Sequence, residues 1–211
     1  MKIHEIYQSI QGESTYAGQP CVFVRTSGCN LRCRWCDTEE AFEPGEEKTL
    51  ETIIRTVADF ACPLLEITGG EPLLQPETLI LIRNFLDEGY AVLLETGGSL
   101  PIHAVDARAI VILDIKCPSS GMSDTMHWEN LAVLKKNDEV KFVIADEADY
   151  LWAKTILNTH QCLAGKVIHF SPAFGEMNPQ TLADWILKDR LAVRLQMQLH
   201  KLIWDPSMKG V

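Results

Sequence analysis

Cys21-Val22-Phe23-Val24-Arg25-Thr26-Ser27-Gly28-Cys29-Asn30-Leu31-Arg32-Cys33-Arg34-Trp35-Cys36 opens on an apolar run and ends on three cysteines. The run over 21–26 predicts a strand, and its near-continuous apolar character is that of a strand buried on both faces. Six more runs rich in Val, Ile and Leu follow, over 64–68, 91–96, 109–115, 139–145, 166–171 and 193–198. Between them lie helix-like stretches. Residues 49–60 place Leu50, Ile53, Ile54, Val57 and Phe60 on one face. Residues 76–88 begin with a first-turn Pro76 and have Gly89 just past their end. Residues 146–159 open with an N-cap Asp146 and carry Asp149 three residues on, a variant of the capping box. Residues 178–189 start with Asn then Pro, a cap and a first-turn choice. Strand, helix and strand repeat in that order, which predicts an α/β fold with a parallel sheet and crossover helices. With about seven strands, a partial, open β/α barrel is more natural than a closed eight-stranded one. In such folds ligands sit at the carboxyl ends of the strands. The aperiodic stretch 29–48 and the Ser/Gly/Pro loop 118–124 both lie at such ends.

The 211 residues suffice for a substantial core, and no linker divides them, so one domain over 1–211 is expected. Hydrophobic residues at 46% against 23% charged mark an ordinary globular chain. The net charge of -10 argues against nucleic acid and against an anionic membrane surface, both of which need a basic footprint. No window reaches the ~18 to 20 apolar residues of a membrane span, and the start lacks a signal-peptide core. A cytoplasmic location is the expectation. Seven cysteines, an odd number, do not make a closed disulfide framework, and in a reducing compartment clustered cysteines point to metal.

Cys29, Cys33 and Cys36 form a C-x3-C-x2-C triplet. Three thiolates on one short loop can each ligate one iron of a cubane and leave the fourth iron open for a chelating ligand. The competing reading is structural zinc, which wants four ligands; here the pairing is not repeated, and the fourth would come from a remote Cys or one of six His. Three plain core cysteines fit poorly among Asn30, Arg32, Arg34 and Asp37. Cys21, Cys62, Cys117 and Cys162 sit in or beside apolar runs and read as small core residues.

The triplet, with Trp35 before its last cysteine, resembles the cluster motif of the radical S-adenosylmethionine superfamily. Thr68-Gly69-Gly70-Glu71-Pro72, after a predicted strand, is similar to that superfamily's GGEP segment. Finer resemblance covers nearly the whole chain. Its carriers are residues 6–14, 17–20 and 22–31, then Trp35-Cys36-Asp37-Thr38, Glu95-Thr96-Gly97-Gly98, Asp114-Ile115-Lys116-Cys117-Pro118-Ser119-Ser120-Gly121 and Gln198-Leu199-His200-Lys201. Together these look like the 7-carboxy-7-deazaguanine synthase family, which trims the usual radical-enzyme barrel.

The resemblance implies a [4Fe-4S] cluster on Cys29, Cys33 and Cys36, with S-adenosylmethionine and Mg²⁺ as further cofactors. It implies a lyase that converts 6-carboxy-5,6,7,8-tetrahydropterin into 7-carboxy-7-deazaguanine with loss of ammonia, on the way to queuosine-type 7-deazapurines. S-adenosylmethionine would be cleaved to a 5′-deoxyadenosyl radical that is regenerated at the end. The implied cofactor contacts are Trp35, Asp37, Gly70, Asp114, Ile115 and Lys116. The implied substrate contacts are Ile10, Gln11, Gly12, Glu13, Arg25, Thr68 and His200, with Arg25 on the substrate carboxylate, where a fork of donors suits two oxygens. Thr38 matches the Mg²⁺ position, with Asp37 an adjacent alternative. An amide or carboxylate over 11–13 can read the edge of an aminopyrimidinone. Asp114-Ile115-Lys116 departs from the Ser-Pro-Lys form of other members. Without the resemblance, Arg25 is a solvated strand-end arginine and His200 a structural hydrogen-bonder. A flavodoxin-like or ferredoxin-like electron donor, a homodimer and a capping role for 199–211 complete the expectations. Two other readings compete: an activase for a glycyl-radical partner, which leaves the Gln11-Gly12-Glu13 and Cys36-Asp37-Thr38 runs without a purpose, and a non-catalytic zinc module.

Overall fold

The computed structural model describes residues 1–206 and 208–210. Its nine strands form one sheet: β1 (Lys2–Ile10), β2 (Pro20–Thr26), β3 (Glu46–Glu47), β4 (Leu64–Gly69), β5 (Ala91–Thr96), β6 (Ile110–Ile115), β7 (Glu139–Ile144), β8 (Val167–Pro172) and β9 (Arg194–Leu195). The sheet order is β3-β1-β2-β4-β5-β6-β7-β8-β9. From β2 to β9 every neighbouring pair is parallel. Helices α1 (Leu50–Ala58), α2 (Glu77–Asp87), α4 (Glu147–Thr159) and α5 (Pro179–Asp189) make crossovers, and α3 (Asn130–Val133) and α6 (His200–Ile203) are single turns. The mostly parallel open sheet is the partial barrel expected.

Three features differ from the sequence reading. An antiparallel strand, β1, precedes the run over 21–26 and pairs with it, so the cysteine loop follows the second strand and not the first. The run over 193–198 pairs only at Arg194 and Leu195, against His169 and Phe170; beyond it the chain turns its glutamines onto other groups. Cys162 is exposed, whereas Cys21, Cys62 and Cys117 are buried as expected.

The helix starts behave as their caps dictate. Thr49, Asp146 and Asn178 each accept backbone N–H groups of the following turn. Asp149 does not close a capping box. Its carboxylate accepts from the backbone N–H groups of Ala145 and Ser119 at 3.1 and 3.0 Å, tying α4 to the loop after β6. Val24, Leu65, Ile67, Leu94, Leu113, Val140 and Phe142 are fully shielded from solvent, as expected for a sheet with helices on its outer face.

Candidate active site

Strand alternation sets one face of the sheet inward, and there it lines a cavity of about 640 Å³. Phe23 and Arg25 come from β2, Glu66 and Thr68 from β4, Glu95 from β5, Ile112 and Asp114 from β6, Lys141 and Val143 from β7, and Ser171 from β8. Register sets Arg25 beside Thr68, and Asp114 beside Lys141. Loops at the carboxyl ends add Cys29, Cys33, Trp35, Cys36, Asp37, Thr38, Gly70 and Lys116; Ile10, Gln11, Gly12, Glu13 and His200 complete the wall. Among the residues expected here, Ile115 alone stays out: its side chain is fully buried in the core, on the side opposite Asp114 and Lys116.

The three cysteines are free and half-buried. Burial raises the pKa of each thiol, with Lys116 pulling back on Cys33, so loading iron here must release protons. The loop is stapled at several points. Gly28 N donates to Ala41 O at 2.6 Å and Arg34 N to Ser120 O at 3.0 Å. The Arg34 guanidinium forks onto Glu176 at 3.0 and 2.6 Å. Three thiols on one cavity wall suit a cubane, which spreads its ligands over separate irons.

The Gly-Gly loop lies directly against the cluster loop. Gly70 N donates to Thr26 O at 3.2 Å and Glu71 N to Gly28 O at 2.9 Å. A Cβ on Gly70 would stand 2.2 Å from Gly28 O and 2.8 Å from the Cβ of Cys29, so only glycine fits. The fully buried Glu71 carboxylate accepts from Thr96 Oγ1 at 2.8 and 2.9 Å, from Gly97 N at 2.8 Å and from Leu73 N at 3.1 Å. It thereby joins the loops after β4 and β5. Lys116 Nζ pairs with Asp114 Oδ2 at 2.7 Å, while Asp114 Oδ1 is buried with no protein partner. That orphaned acceptor suits a ligand hydroxyl or amine, and together with the glycine cradle it fits a nucleoside-bearing cofactor.

Deeper in the cavity sits an ionic cluster that sequence reasoning missed. Lys141 Nζ contacts Glu13 Oε2 at 2.8 Å, Asp114 Oδ2 at 3.7 Å and Glu95 Oε1. Burial pulls the Lys141 pKa down, but these carboxylates outweigh it and hold it well above the usual lysine range. Glu13 shows the mirror effect: burial would raise its pKa, yet Lys141 leaves it lowered. Gln196 and Gln198 also donate to Glu13, at 3.0 and 2.9 Å. Thr68 Oγ1 donates to Glu95 Oε2 at 3.2 Å. The sequence signal was available, since a charged residue inside a run buried on both faces must find partners. Glu66 in Leu64-Leu65-Glu66-Ile67 and Lys141 in Val140-Lys141-Phe142 both qualify.

Arg25 is not a solvated strand end. Its Nε donates to Glu5 Oε1 at 2.8 Å and its NH2 to the Tyr7 hydroxyl at 2.9 Å. Tyr7 in turn stacks on Phe23 at 5.1 Å. Asp37 accepts from Gln198 and Lys201 at 3.1 and 3.2 Å and from the Thr38 hydroxyl at 3.1 Å. His200 Nδ1 would lie 2.3 Å from a Cβ on Gly12, and Leu199 N donates to Gly12 O at 3.1 Å. The 11–13 segment and the C-terminal segment thus meet over the cavity.

Residues 23–115 match the model of the radical SAM superfamily. A 7-carboxy-7-deazaguanine synthase of Chlorobaculum tepidum is 49% identical over 100% of this chain and 97% of its own. Those of Koribacter versatilis and Thermoplasma acidophilum are 45% and 37% identical, covering 100% and 97% of this chain and the same shares of their own. The crystal structure of QueE from Escherichia coli shares the fold, with a TM-score of 0.76 over 93% of each chain at 21% identity. The full-length likeness to the named relatives, with the radical SAM match across the cysteine loop and the Gly-Gly loop, shows that this chain belongs to the 7-carboxy-7-deazaguanine synthase family of radical SAM enzymes.

Proposed function

We propose that the protein converts 6-carboxy-5,6,7,8-tetrahydropterin into 7-carboxy-7-deazaguanine with loss of ammonia, as a step of 7-deazapurine biosynthesis. The observation that carries the reading is the sharing of one cavity by the three cysteines and a polar wall suited to a small, carboxylated heterocycle. Cys29, Cys33 and Cys36 would hold a [4Fe-4S] cluster, which would supply the electron for radical chemistry on S-adenosylmethionine. The chain supplies binding and orientation. Gly70, with Asp114 Oδ1 and the Asp114–Lys116 pair, cradles the cofactor beside the cysteine loop, and Trp35 and Asp37 flank it; Ile115 contributes through its backbone. Arg25 meets the substrate carboxylate, with Glu5 and Tyr7 fixing its fork. Ile10, Gln11, Gly12, Glu13, Thr68 and His200 surround the ring.

Thr38 holds Mg²⁺ in this reading, with Asp37 an adjacent alternative. A single hydroxyl oxygen leaves most of an octahedral shell to water and substrate, as Mg²⁺ prefers. Pro206, Met208, Lys209 and Gly210 line the cavity, which supports a capping role for 199–211; Ser207 and Val211 lie outside the described residues. An external flavodoxin-like or ferredoxin-like donor, a homodimer and a cytoplasmic location belong to the same proposal. The seven free cysteines suit a reducing compartment. Among the described residues no helix is long and apolar enough to cross a membrane.

The test is anaerobic incubation of reconstituted protein with S-adenosylmethionine, dithionite, Mg²⁺ and the tetrahydropterin, read by mass spectrometry. The expected product is 7-carboxy-7-deazaguanine, absent in Cys33→Ala. Release of 5′-deoxyadenosine without that product sinks the substrate assignment alone.

A further inference from the structure

We propose that Glu66 is a specificity-determining residue for the substrate's ring: its carboxyl, fixed by Gln11 deep in the cavity, pairs with the adjacent N–H and C=O of a pyrimidinone edge. The inference rests on the pterin reading above and adds a contact that reading does not contain. Gln11 was expected to read the ring itself, yet its amide is mostly engaged. Its Nε2 donates to Glu66 Oε2 at 2.5 Å and its Oε1 accepts from Glu13 N at 3.0 Å. That leaves one N–H of the amide. Glu66, 4% exposed, lines the same cavity one pleat deeper than Thr68, and the Gln11 bond uses only one of its two oxygens.

The surroundings decide its charge. Phe23 and Leu93 stand beside Glu66 on the neighbouring strands. The nearby cation, Lys141, is already shared by Glu13, Glu95 and Asp114. Burial, then repulsion from Glu95 and Glu13, push the Glu66 carboxyl well above the usual carboxylate range, with Gln11 and Lys141 only partly opposing. These effects favour the neutral carboxyl, the form that the pairing requires. A neutral carboxyl offers one O–H donor beside one C=O acceptor, the complement of a ring amide, whereas a carboxylate offers acceptors only. A site built this way rejects rings that cannot return the pair, because its own buried groups would stay unmatched. Phe23, stacked on Tyr7, adds an apolar surface next to that edge.

The test compares Glu66→Leu and Glu66→Gln in the reconstituted enzyme. Leu removes both polar functions; Gln keeps a donor beside an acceptor and cannot ionise. The expected result is a rise in the pterin KM of about 10-fold or more in the Leu variant, with a smaller change in kcat and recovery of most of the loss in the Gln variant. A pterin analogue with an amino group in place of the ring carbonyl competes weakly in the parent enzyme, and the Leu variant loses that discrimination. Isotope-edited infrared spectroscopy of the parent shows the carbonyl stretch of a protonated carboxyl, shifted by pterin and absent in Glu66→Gln; this readout holds even if the Leu variant fails to fold. An unchanged KM in the Leu variant, an equal loss in both variants, or a Glu66 that is a carboxylate in the infrared would each overturn the contact while leaving the substrate assignment standing. Failure of the parent to consume the pterin overturns both.

Discussion

The carbonyl oxygen of Gly28 accepts from Glu71 N at 2.9 Å and lies 2.2 Å from where a Cβ on Gly70 would stand. The cluster loop and the Gly-Gly loop are thus in backbone contact, and neither can shift without the other. A Gly70→Ala change has no flexible side chain to displace, because its nearest obstacle is backbone. The variant should lose about 1–3 kcal/mol of stability and bind S-adenosylmethionine at least ~10-fold more weakly. Urea unfolding and equilibrium dialysis of reconstituted protein give the two numbers. Unaltered binding would mean the two loops are not coupled.

Glu71 joins the loops after β4 and β5 through Thr96, Gly97 and Leu73. Glu71→Ala leaves those donors without their acceptor in a buried place. A loss of about 2–3 kcal/mol is expected from denaturant unfolding. Hydrogen exchange should speed up at Gly97 N before it does in the sheet.

Lys141→Met leaves Glu13, Glu95 and Asp114 facing one another without their shared cation. The cost should be about 3–5 kcal/mol at neutral pH. The pH slopes should also part. In the parent, Glu13 has a folded pKa below its unfolded one, so its contribution is present above the unfolded pKa and is lost as pH falls. The folded pKa of Lys141 is raised, so its contribution is complete below the unfolded pKa and is lost only as pH rises through the folded value. In the variant the stranded carboxyls have raised pKa values, and protonating them relieves the repulsion. Acidification from pH 7 to 5 stays above the unfolded pKa of Glu13 and leaves its contribution in place, so it should strengthen the variant relative to the parent, as melting curves would record.

Gly12→Ala pushes a methyl group into the His200 ring. Because a side chain and not backbone is the obstacle, stability should change by less than about 1 kcal/mol while the substrate KM rises about 10-fold. Burial lowers the His200 pKa, partly opposed by Glu13, so the ring is neutral near pH 7. Its contribution to stability is present above the unfolded pKa and fades as pH falls. Initial-rate kinetics across pH 5.5–7.5 should show an acid limb in KM that disappears in His200→Ala.

The parallel strands were legible because burial on both faces leaves an apolar run that few other structures require. The cysteine loop was legible because three thiols at that spacing have few uses. β1 was not legible: Lys2-Ile3-His4-Glu5-Ile6-Tyr7-Gln8-Ser9-Ile10 pairs antiparallel with β2 and, on its other side, only at Lys2 and Ile3 with the two-residue β3, so polar residues face out and the pattern blurs. The length of β9 was missed for a different reason. Gln196 and Gln198 look like strand residues, but their amides are spent on Glu13 and, for Gln198, on Asp37, a long-range pairing with no local signature. In the site, the Glu66 and Lys141 positions were visible as charges within apolar runs, but their partners were not, because those partners come from three separate elements, the segment after β1, β5 and β6.

Glu13 receives hydrogen bonds from residues 183 and 185 positions further along the chain, and Ser14 N donates to Gln196. During synthesis the cysteine and Gly-Gly loops leave the ribosome long before those glutamines do. A nascent chain holds Cys29, Cys33 and Cys36 while the cavity wall that Gln196 and Gln198 brace is still unfinished. The order of translation therefore sets the three thiols in place ahead of the groups that fix Glu13.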